Sequence, residues 1–350
     1  MAADAPAAPL GSIVLLSALD MPFLLPSQLE AGEPPEVRGA GRDDVRLLVT
    51  AGGSLTHTHF RRLADFLRPG DALVLNASAT LPAAIEARSA GGDSFRLHVS
   101  TQLPGGLAIV EPRGATVFAG EKVTLAGSQG ATLIGPYRAS RRLWIAAFTG
   151  SLRHHLNRYG KPISYPYVRR EWPIEAYQNV YSRVPGSAEM PSAGRPITSQ
   201  MLAGLRARGI IIAFLTLHAG VASMEHDEPP CEEYYEVPAD TAAKVAQARA
   251  RGNSVIAVGT TVIRALESSI DPSGTLVASR GWTDLVIGAA HPVRFADGLL
   301  TGFHEPRSTH LAMLAAVAGS DEIRRAYGAA IDGGYLWHEF GDSHLILPAP

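Results

Sequence analysis

The stretch at residues 254–270, SVIAVGTTVIRALESSI, narrows the folds open to this chain more than any other. Residues 254–258 form a short apolar run bounded by Gly252 and Gly259, and such a run suits a strand buried on both faces of a parallel or mixed sheet. Gly259 lets the backbone turn sharply, and Thr260 or Thr261 offers an N-cap hydroxyl to a helix with Ile263, Leu266 and Ile270 at inward spacing. A strand, a tight turn and a helix start together bring amide N–H groups and the positive end of a helix dipole to the strand's carboxyl end, where an anion or polar ligand binds. Arg264 and Glu267 fall three residues apart on one helical face, placed to pair with each other or to reach into a cleft together. An ordinary scaffold turn has the same pattern, so the stretch alone names no reaction.

The rest of the chain sets that unit in an α/β fold. Residues 46–50 and 72–76 read as buried strands around a helical segment with Phe60, Leu63, Phe66 and Leu67 inward. Between residues 84 and 148 the character changes to short alternating segments split by Gly- and Pro-rich turns, which predicts a small antiparallel β-barrel or sandwich. The fold class expected is therefore a barrel-like mixed α/β domain with an inserted antiparallel β-barrel, the α/β part discontinuous over 1–82 and 149–350 and the insert at 83–148. A length of 350 residues accommodates about two domains. Residues 1–20 read as a flexible lead, 210–218 as a central strand ending on His218, and 284–288 as a further strand. A helix over 311–317 is capped by Ser308 or Thr309, and a helix over 242–250 by Asp240.

Lys and Arg number 31 against 33 Asp and Glu, so no global basic field advertises nucleic acid, although a local patch remains open. Tyr165, Tyr167 and Trp172, interleaved with Arg169 and Arg170, either line a groove for bases and phosphates or are packing with solvated arginines. The single cysteine, Cys231, excludes an intramolecular disulfide and fits a reducing cytoplasmic setting. No run approaches the roughly 20 apolar residues of a membrane helix, and a soluble protein without membrane partners is expected. Glu225, His226, Asp227 and Glu228 are metal-ligand types, but they are consecutive rather than helically spaced and read as a solvated loop, so no metal is assigned.

His218, Arg264 with Glu267, and His304 with Arg307 all stand at ends of predicted buried strands or on the helix starts that follow. If those strands are adjacent and parallel, the groups converge on one cleft with hydroxyls from Thr260, Thr261, Ser308 and Thr309. Such a cleft has donors for a carboxylate or phosphate and groups for proton transfer. No nucleophile elbow, Walker loop, dinucleotide fingerprint or zinc motif is present.

Seven stretches resemble the S-adenosylmethionine:tRNA ribosyltransferase-isomerase family of queuosine biosynthesis: PPEVRGAGRDDVRLLV (34–49), LRPGDALVLN (67–76), NRYGKPISYPYVRR (157–170), YQNVYSRVPGSAEMPSAG (177–194), VIAVGTTVIRALES (255–268), LLTGFHEPRSTHLAML (299–314) and AYGAAIDGGYLWHEFGDSHLIL (326–347). The resemblance implies an α/β domain with an inserted β-barrel. It also implies S-adenosylmethionine as co-substrate, its ribosyl part passing to the aminomethyl group of a 7-deazaguanine base in a tRNA anticodon and rearranging, with release of adenine and methionine. A sulfonium acidifies the adjacent C5′ hydrogens, so a protein base can start the sequence. His218, Asp342 and His304 are the proton-transfer candidates; Arg264, Glu267, Arg307, Thr260, Thr261, Ser308 and Thr309 are the candidate co-substrate contacts. The chain departs from the family after LVLN, where Ala77-Ser78-Ala79-Thr80 replaces Asp-Thr-Arg, and at Gly302-Phe303-His304, where the family has Asn-Phe-His. A small-molecule acceptor, or nucleoside or RNA binding without catalysis, stays open beside tRNA modification, as does the oligomeric state.

Overall fold

The computed structural model describes residues 23–138, 140–221, 231–288, 291–306 and 308–348. The predicted lead at 1–20, the acidic run at 225–228 and Arg307 lie outside the described residues. The chain opens with the hairpin β1 (Arg46–Ala51) and β2 (Ser54–His59), then runs through β3 (Ala72–Asn76) and a short β4 (Ser78–Thr80). Six strands follow: β5 (Ala84–Arg88), β6 (Ser94–Gln102), β7 (Leu107–Arg113), β8 (Glu121–Leu125), β9 (Gly130–Pro136) and β10 (Trp144–Phe148). They close into an antiparallel barrel in the order β10-β7-β6-β5-β8-β9, filled by alternate residues such as Phe95, Leu97 and Val99 of β6 with Val123 and Leu125 of β8. Closure leaves no unpaired edge.

After the barrel come α1 (Leu152–Tyr159), β11 (Val184–Ser187), α2 (Ser199–Ala207), β12 (Ile211–Leu217), β13 (Glu233–Val237), α3 (Ala239–Ala250), β14 (Val255–Val258), α4 (Thr260–Glu267) and β15 (Ser279–Thr283). The chain ends with β16 (Gly298–Gly302), α5 (Thr309–Ala318), α6 (Ser320–Asp332) and β17 (Ser343–Leu347). The large sheet has nine strands in the order β15-β13-β12-β3-β14-β16-β17-β1-β2. Its centre, β12-β3-β14-β16, is parallel throughout. β17 enters between β16 and β1, so the C-terminal strand joins the first hairpin to the rest of the sheet. Fully apolar strands follow from burial on both faces. Ala72 and Val74 of β3 pack with α3 and α4 on one side, whereas Leu73 and Leu75 pack with Leu202 and Leu205 of α2 on the other. No helix among the described residues is long and apolar enough to cross a membrane.

Two local expectations are corrected, and one strand is new. The strand expected at 284–288 lies five residues earlier, at Ser279–Thr283, where it pairs antiparallel with β13; the carbonyls of Thr283 and Leu285 turn instead to Arg264. β2 was not foreseen, because LTHTH is mostly exposed and has no apolar face to read. Helix α3 begins after Pro238, leaving Asp240 in the first turn, where its charge favours the dipole without capping it.

Candidate active site

The carboxyl ends of β12, β3, β14 and β16 point to one rim of the sheet, and a cavity of about 650 Å³ opens there. Crevices at the strand ends of α/β sheets are where ligands bind. Asn76, ending β3, holds this rim together: its Nδ2 donates to Leu217 O at 2.8 Å and to Thr261 Oγ1 at 3.2 Å. Its Oδ1 accepts from the amides of Leu217 (3.1 Å) and Ser78 (3.0 Å). A buried amide with each polar atom satisfied extends the β3–β12 ladder by a side chain and fixes the start of α4.

Gly259 is the N-cap of α4, at φ +94°, and no hydroxyl caps the helix. The expected threonine cap is thereby corrected: Thr260 is already the first helical residue, and both Thr260 and Thr261 line the cavity. A Cβ at Gly259 would adopt a strained backbone and sit 3.4 Å from Ala193 Cβ. Ser308 does cap α5, accepting the His310 amide at 3.2 Å, and also lines the cavity. Thr309 opens α5 but is not among the lining residues.

Arg264 reaches the cavity with its guanidinium largely committed. It pairs with Glu233 and donates to Leu285 O at 3.0 Å and to Thr283 O at 3.3 Å. Glu233 also accepts the Gly220 amide at 2.7 Å, so this pair ties α4 to the chain after β12. Glu267 does not join Arg264 in the cleft. Its buried Oε1 accepts the amides of Arg294 (2.7 Å) and Phe295 (2.9 Å), which assigns it to holding the approach to β16. Asp342 is corrected likewise: nearly buried, it accepts from the Arg46 amide (2.7 Å), Arg46 Nη2 (2.8 Å) and the Leu336 amide (2.8 Å). It is a structural carboxylate away from the cavity lining.

His304 lies in the cavity, its Nε2 sharing a hydrogen bond with Thr301 Oγ1 at 2.8 Å. The loop that bears it is fixed from three sides. Its amide donates to Tyr327 OH at 3.1 Å, its carbonyl accepts from Trp337 Nε1 at 3.1 Å, and Phe303 packs on Tyr327, Tyr335 and Trp337. Burial, reinforced by His310, pushes the His304 pKa well below the ordinary range. His310, 4.6 Å away ring to ring, is pushed down to about 4 by burial and then by Arg264. Both are neutral imidazoles near neutral pH. His218 is not with them. Just past the end of β12 the chain divides the two spaces: Ala219 and Gly220 line this cavity, and His218 lines a smaller one beside it.

One wall is aromatic. Tyr165, Tyr167 and His338 form a ladder, with centroids 5.9 Å apart at 21° and then 3.9 Å apart at 6°. Tyr165 donates to Glu189, and Tyr167 to Glu339 at 2.6 Å. Burial, then the glutamate beside each, raises both phenol pKa values, so the rings stay protonated. His338 sits at φ +73°, a conformation costly for a non-glycine residue and concentrated at functional sites. Tyr165 and Tyr167 were read from the sequence as stacking faces; Trp172 instead packs in a small core with Tyr177 and Phe340. His338, Glu339, Glu189 and Glu233 were missed, and the aromatic-flanked His-Glu pair in LWHEF was the available signal. Among the described lining residues, four glutamates (Glu189, Glu233, Glu305, Glu339) face two arginines, Arg113 and Arg264, each already paired with a carboxylate. The field in the cavity thus favours a cation. Among the described residues no cluster of three or more His, Cys, Asp or Glu side chains is arranged to hold a metal.

Residues 19–346 match the family model described as "Queuosine biosynthesis protein". The chain is 35% identical over 340 residues to the S-adenosylmethionine:tRNA ribosyltransferase-isomerase of Symbiobacterium thermophilum, covering 94% of this chain and 99% of that relative. To the enzyme of the same name from Thermus thermophilus it is 37% identical over 324 residues, 87% of this chain and 93% of the other. The crystal structure of S-adenosylmethionine tRNA ribosyltransferase from Thermotoga maritima superimposes with a TM-score of 0.54 at 31% identity, covering 93% of this chain and 99% of that one.

Proposed function

This chain belongs to the queuosine biosynthesis protein family, and from that membership we propose that it transfers and isomerises the ribosyl moiety of S-adenosylmethionine. The acceptor is the aminomethyl group of a 7-deazaguanine base in tRNA, and the products released are adenine and methionine. The observation that carries this reading is the acidic, aromatic-walled cavity at the rim of the parallel strands. S-adenosylmethionine brings a sulfonium and an ammonium, and a described lining of four carboxylates against two paired guanidinium groups attracts that cation. A volume of about 650 Å³ lies within the roughly 300–1,000 Å³ of small-molecule sites.

Roles follow from position. The Thr260 and Thr261 hydroxyls and the N-terminal amides of α4 receive the methionine carboxylate, since Arg264 is spent on Glu233 and two carbonyls. The ladder of Tyr165, Tyr167 and His338 takes a flat heterocycle on its face. His304, neutral and oriented by Thr301, accepts the proton from the carbon next to the sulfonium. Its low basicity suffices because the positive sulfur stabilises the carbanion formed. The cavity's negative field leaves no place for backbone phosphates inside it, so the RNA strand lies outside and inserts only the modified base.

The test is incubation with S-adenosylmethionine and tRNA carrying 7-aminomethyl-7-deazaguanine, with mass detection of free adenine. Wild-type protein releases adenine in step with modified tRNA, and His304→Ala lowers the rate by about 10²–10⁴-fold. No adenine from the wild type sinks the reading; full activity in His304→Ala removes only the role of His304.

A further inference from the structure

The smaller cavity beside the main one, of about 200 Å³, is not used by the proposed chemistry. It lies where the barrel strand β6, helix α1 and the ends of β12, β13 and β15 meet, and its lining includes Thr101, Arg153, Gly186, His218, Tyr234 and Trp282. Three rings form its flank. His218 stacks on Tyr234 at 5.8 Å and 26°, and Tyr234 meets Trp282 edge-on at 5.8 Å and 73°. The His218 ring lies flat on Gly186, where a Cβ would come within 2.5 Å of three ring atoms, and Ser78 Oγ holds its Nδ1 at 2.7 Å. Trp282, on the edge strand of the sheet, keeps 45% of its surface in solvent.

Two polar groups at this cavity lack partners among the described residues. Thr101 Oγ1 is buried without a hydrogen bond, in a residue only 9% exposed. Arg153 is exposed on α1 and makes no ion pair among the described residues. The space is below the roughly 300 Å³ at which drug-sized ligands begin to fit, so it holds one ring rather than a co-substrate. Aromatic faces with a cation at the mouth bind single-stranded nucleic acid. A target base that enters the main cavity must leave its stack, which strips its neighbour of a stacking partner.

We propose that this cavity is a stacking subsite for the one nucleobase next to the target base, with Trp282 and Tyr234 offering ring faces, Thr101 a hydrogen bond, and Arg153 the adjoining phosphate. This inference rests on the RNA reading of the main site. The wall shared by the two cavities supports it, because Gly186 and His218 open to one side while Ala188 and Ala219 open to the other. A base in each would therefore be separated by little more than one layer of backbone.

The experiment uses full-length protein and an anticodon stem-loop RNA bearing 7-aminomethyl-7-deazaguanine, intact or with an abasic nucleotide on either side of the target. Trp282→Ala raises KM for the intact RNA about 5- to 100-fold, the range of one lost base–aromatic stack, with kcat nearly unchanged. An abasic neighbour costs wild-type protein a similar factor but costs Trp282→Ala little more, and Trp282→Phe restores most of the affinity. Losses that multiply, or abasic RNA that binds like intact RNA, overturn the proposal. So does a Trp282→Ala variant with a lowered melting temperature and unchanged RNA affinity, since the ring would then only brace the β13–β15 edge. If wild-type protein releases no adenine, the reading of the main site fails separately; equilibrium titration of the same RNAs against the same variants still decides the subsite.

Discussion

His304 and Thr301 stand three residues apart at the end of β16, with Nε2 and Oγ1 2.8 Å apart inside the cavity. The hydroxyl selects which imidazole nitrogen carries the proton and keeps the ring turned to the ligand space. Thr301→Val retains the shape of the side chain and removes that hydrogen bond. The expected result is a fall in kcat of about 10-fold, smaller than the loss in His304→Ala, with S-adenosylmethionine affinity unchanged in calorimetry. Equal kcat in Thr301→Val and wild type would show that His304 needs no orienting partner.

Acid sensitivity follows from the buried imidazoles. His344, fully buried with Nε2 2.7 Å from Thr50 Oγ1, is pushed down to about 3 by burial, and His310 to about 4. Their folded pKa values lie below the unfolded value of about 6.5, so the unfolded chain binds more protons throughout that interval. Stability is therefore full above pH ~6.5 and is lost as the pH falls toward the folded values, by at most about 1.4 kcal/mol per pH unit for each such histidine. Urea denaturation from about pH 7.5 to about pH 4.5 measures the slope. His344→Gln keeps a partner for Thr50 and is expected to flatten that slope by close to one proton; an unchanged slope would show that His344 is protonated in the fold.

The central strands and the barrel turns were legible because burial on two faces, and hairpins closed by glycine, leave local marks. The side that a strand-end residue takes leaves none. His218 ends an apolar run as read, but whether it joins Arg264 depends on its tertiary partners, and Gly186 with Ser78 draws its ring into the second cavity. The fates of Glu267 and Asp342 were equally unreadable. Their partners, the amides of Arg294 and Phe295 and the side chain of Arg46, are distant in sequence and meet them only in the folded chain.

Asp342 tests that distinction between a structural and a catalytic carboxylate. It accepts both backbone and side-chain donors of Arg46 and the Leu336 amide, joining β1 to the turn before β17. Asp342→Ala leaves the Arg46 and Leu336 amides without that acceptor, while the Arg46 guanidinium keeps the carbonyls of Gly333 and Gly334, and is expected to cost about 1–3 kcal/mol of stability. Specific activity of the folded fraction should stay within a few-fold of wild type. A melting temperature that does not move, together with a kcat lowered by two orders of magnitude, would return Asp342 to the reaction.

The acidic lining makes a charge-selective prediction. Glu339, beside the strained His338 and hydrogen-bonded by Tyr167 at 2.6 Å, has its carboxyl pKa raised above the ordinary carboxylate range by burial. S-adenosylmethionine and S-adenosylhomocysteine share adenosine, amine and carboxylate and differ by the methyl group that makes sulfur a cation. If the lining attracts that sulfonium, Glu339→Gln at about pH 8 should weaken S-adenosylmethionine about fivefold, the effect of roughly 1 kcal/mol between partly screened charges. S-adenosylhomocysteine should lose far less, because its sulfur is neutral. Titration calorimetry of both ligands against both proteins gives the comparison. Equal losses would mean that Glu339 acts through the Tyr167 ring and the shape of the wall, and the electrostatic reading of the cavity would have to rest on Glu189, Glu233 and Glu305 alone.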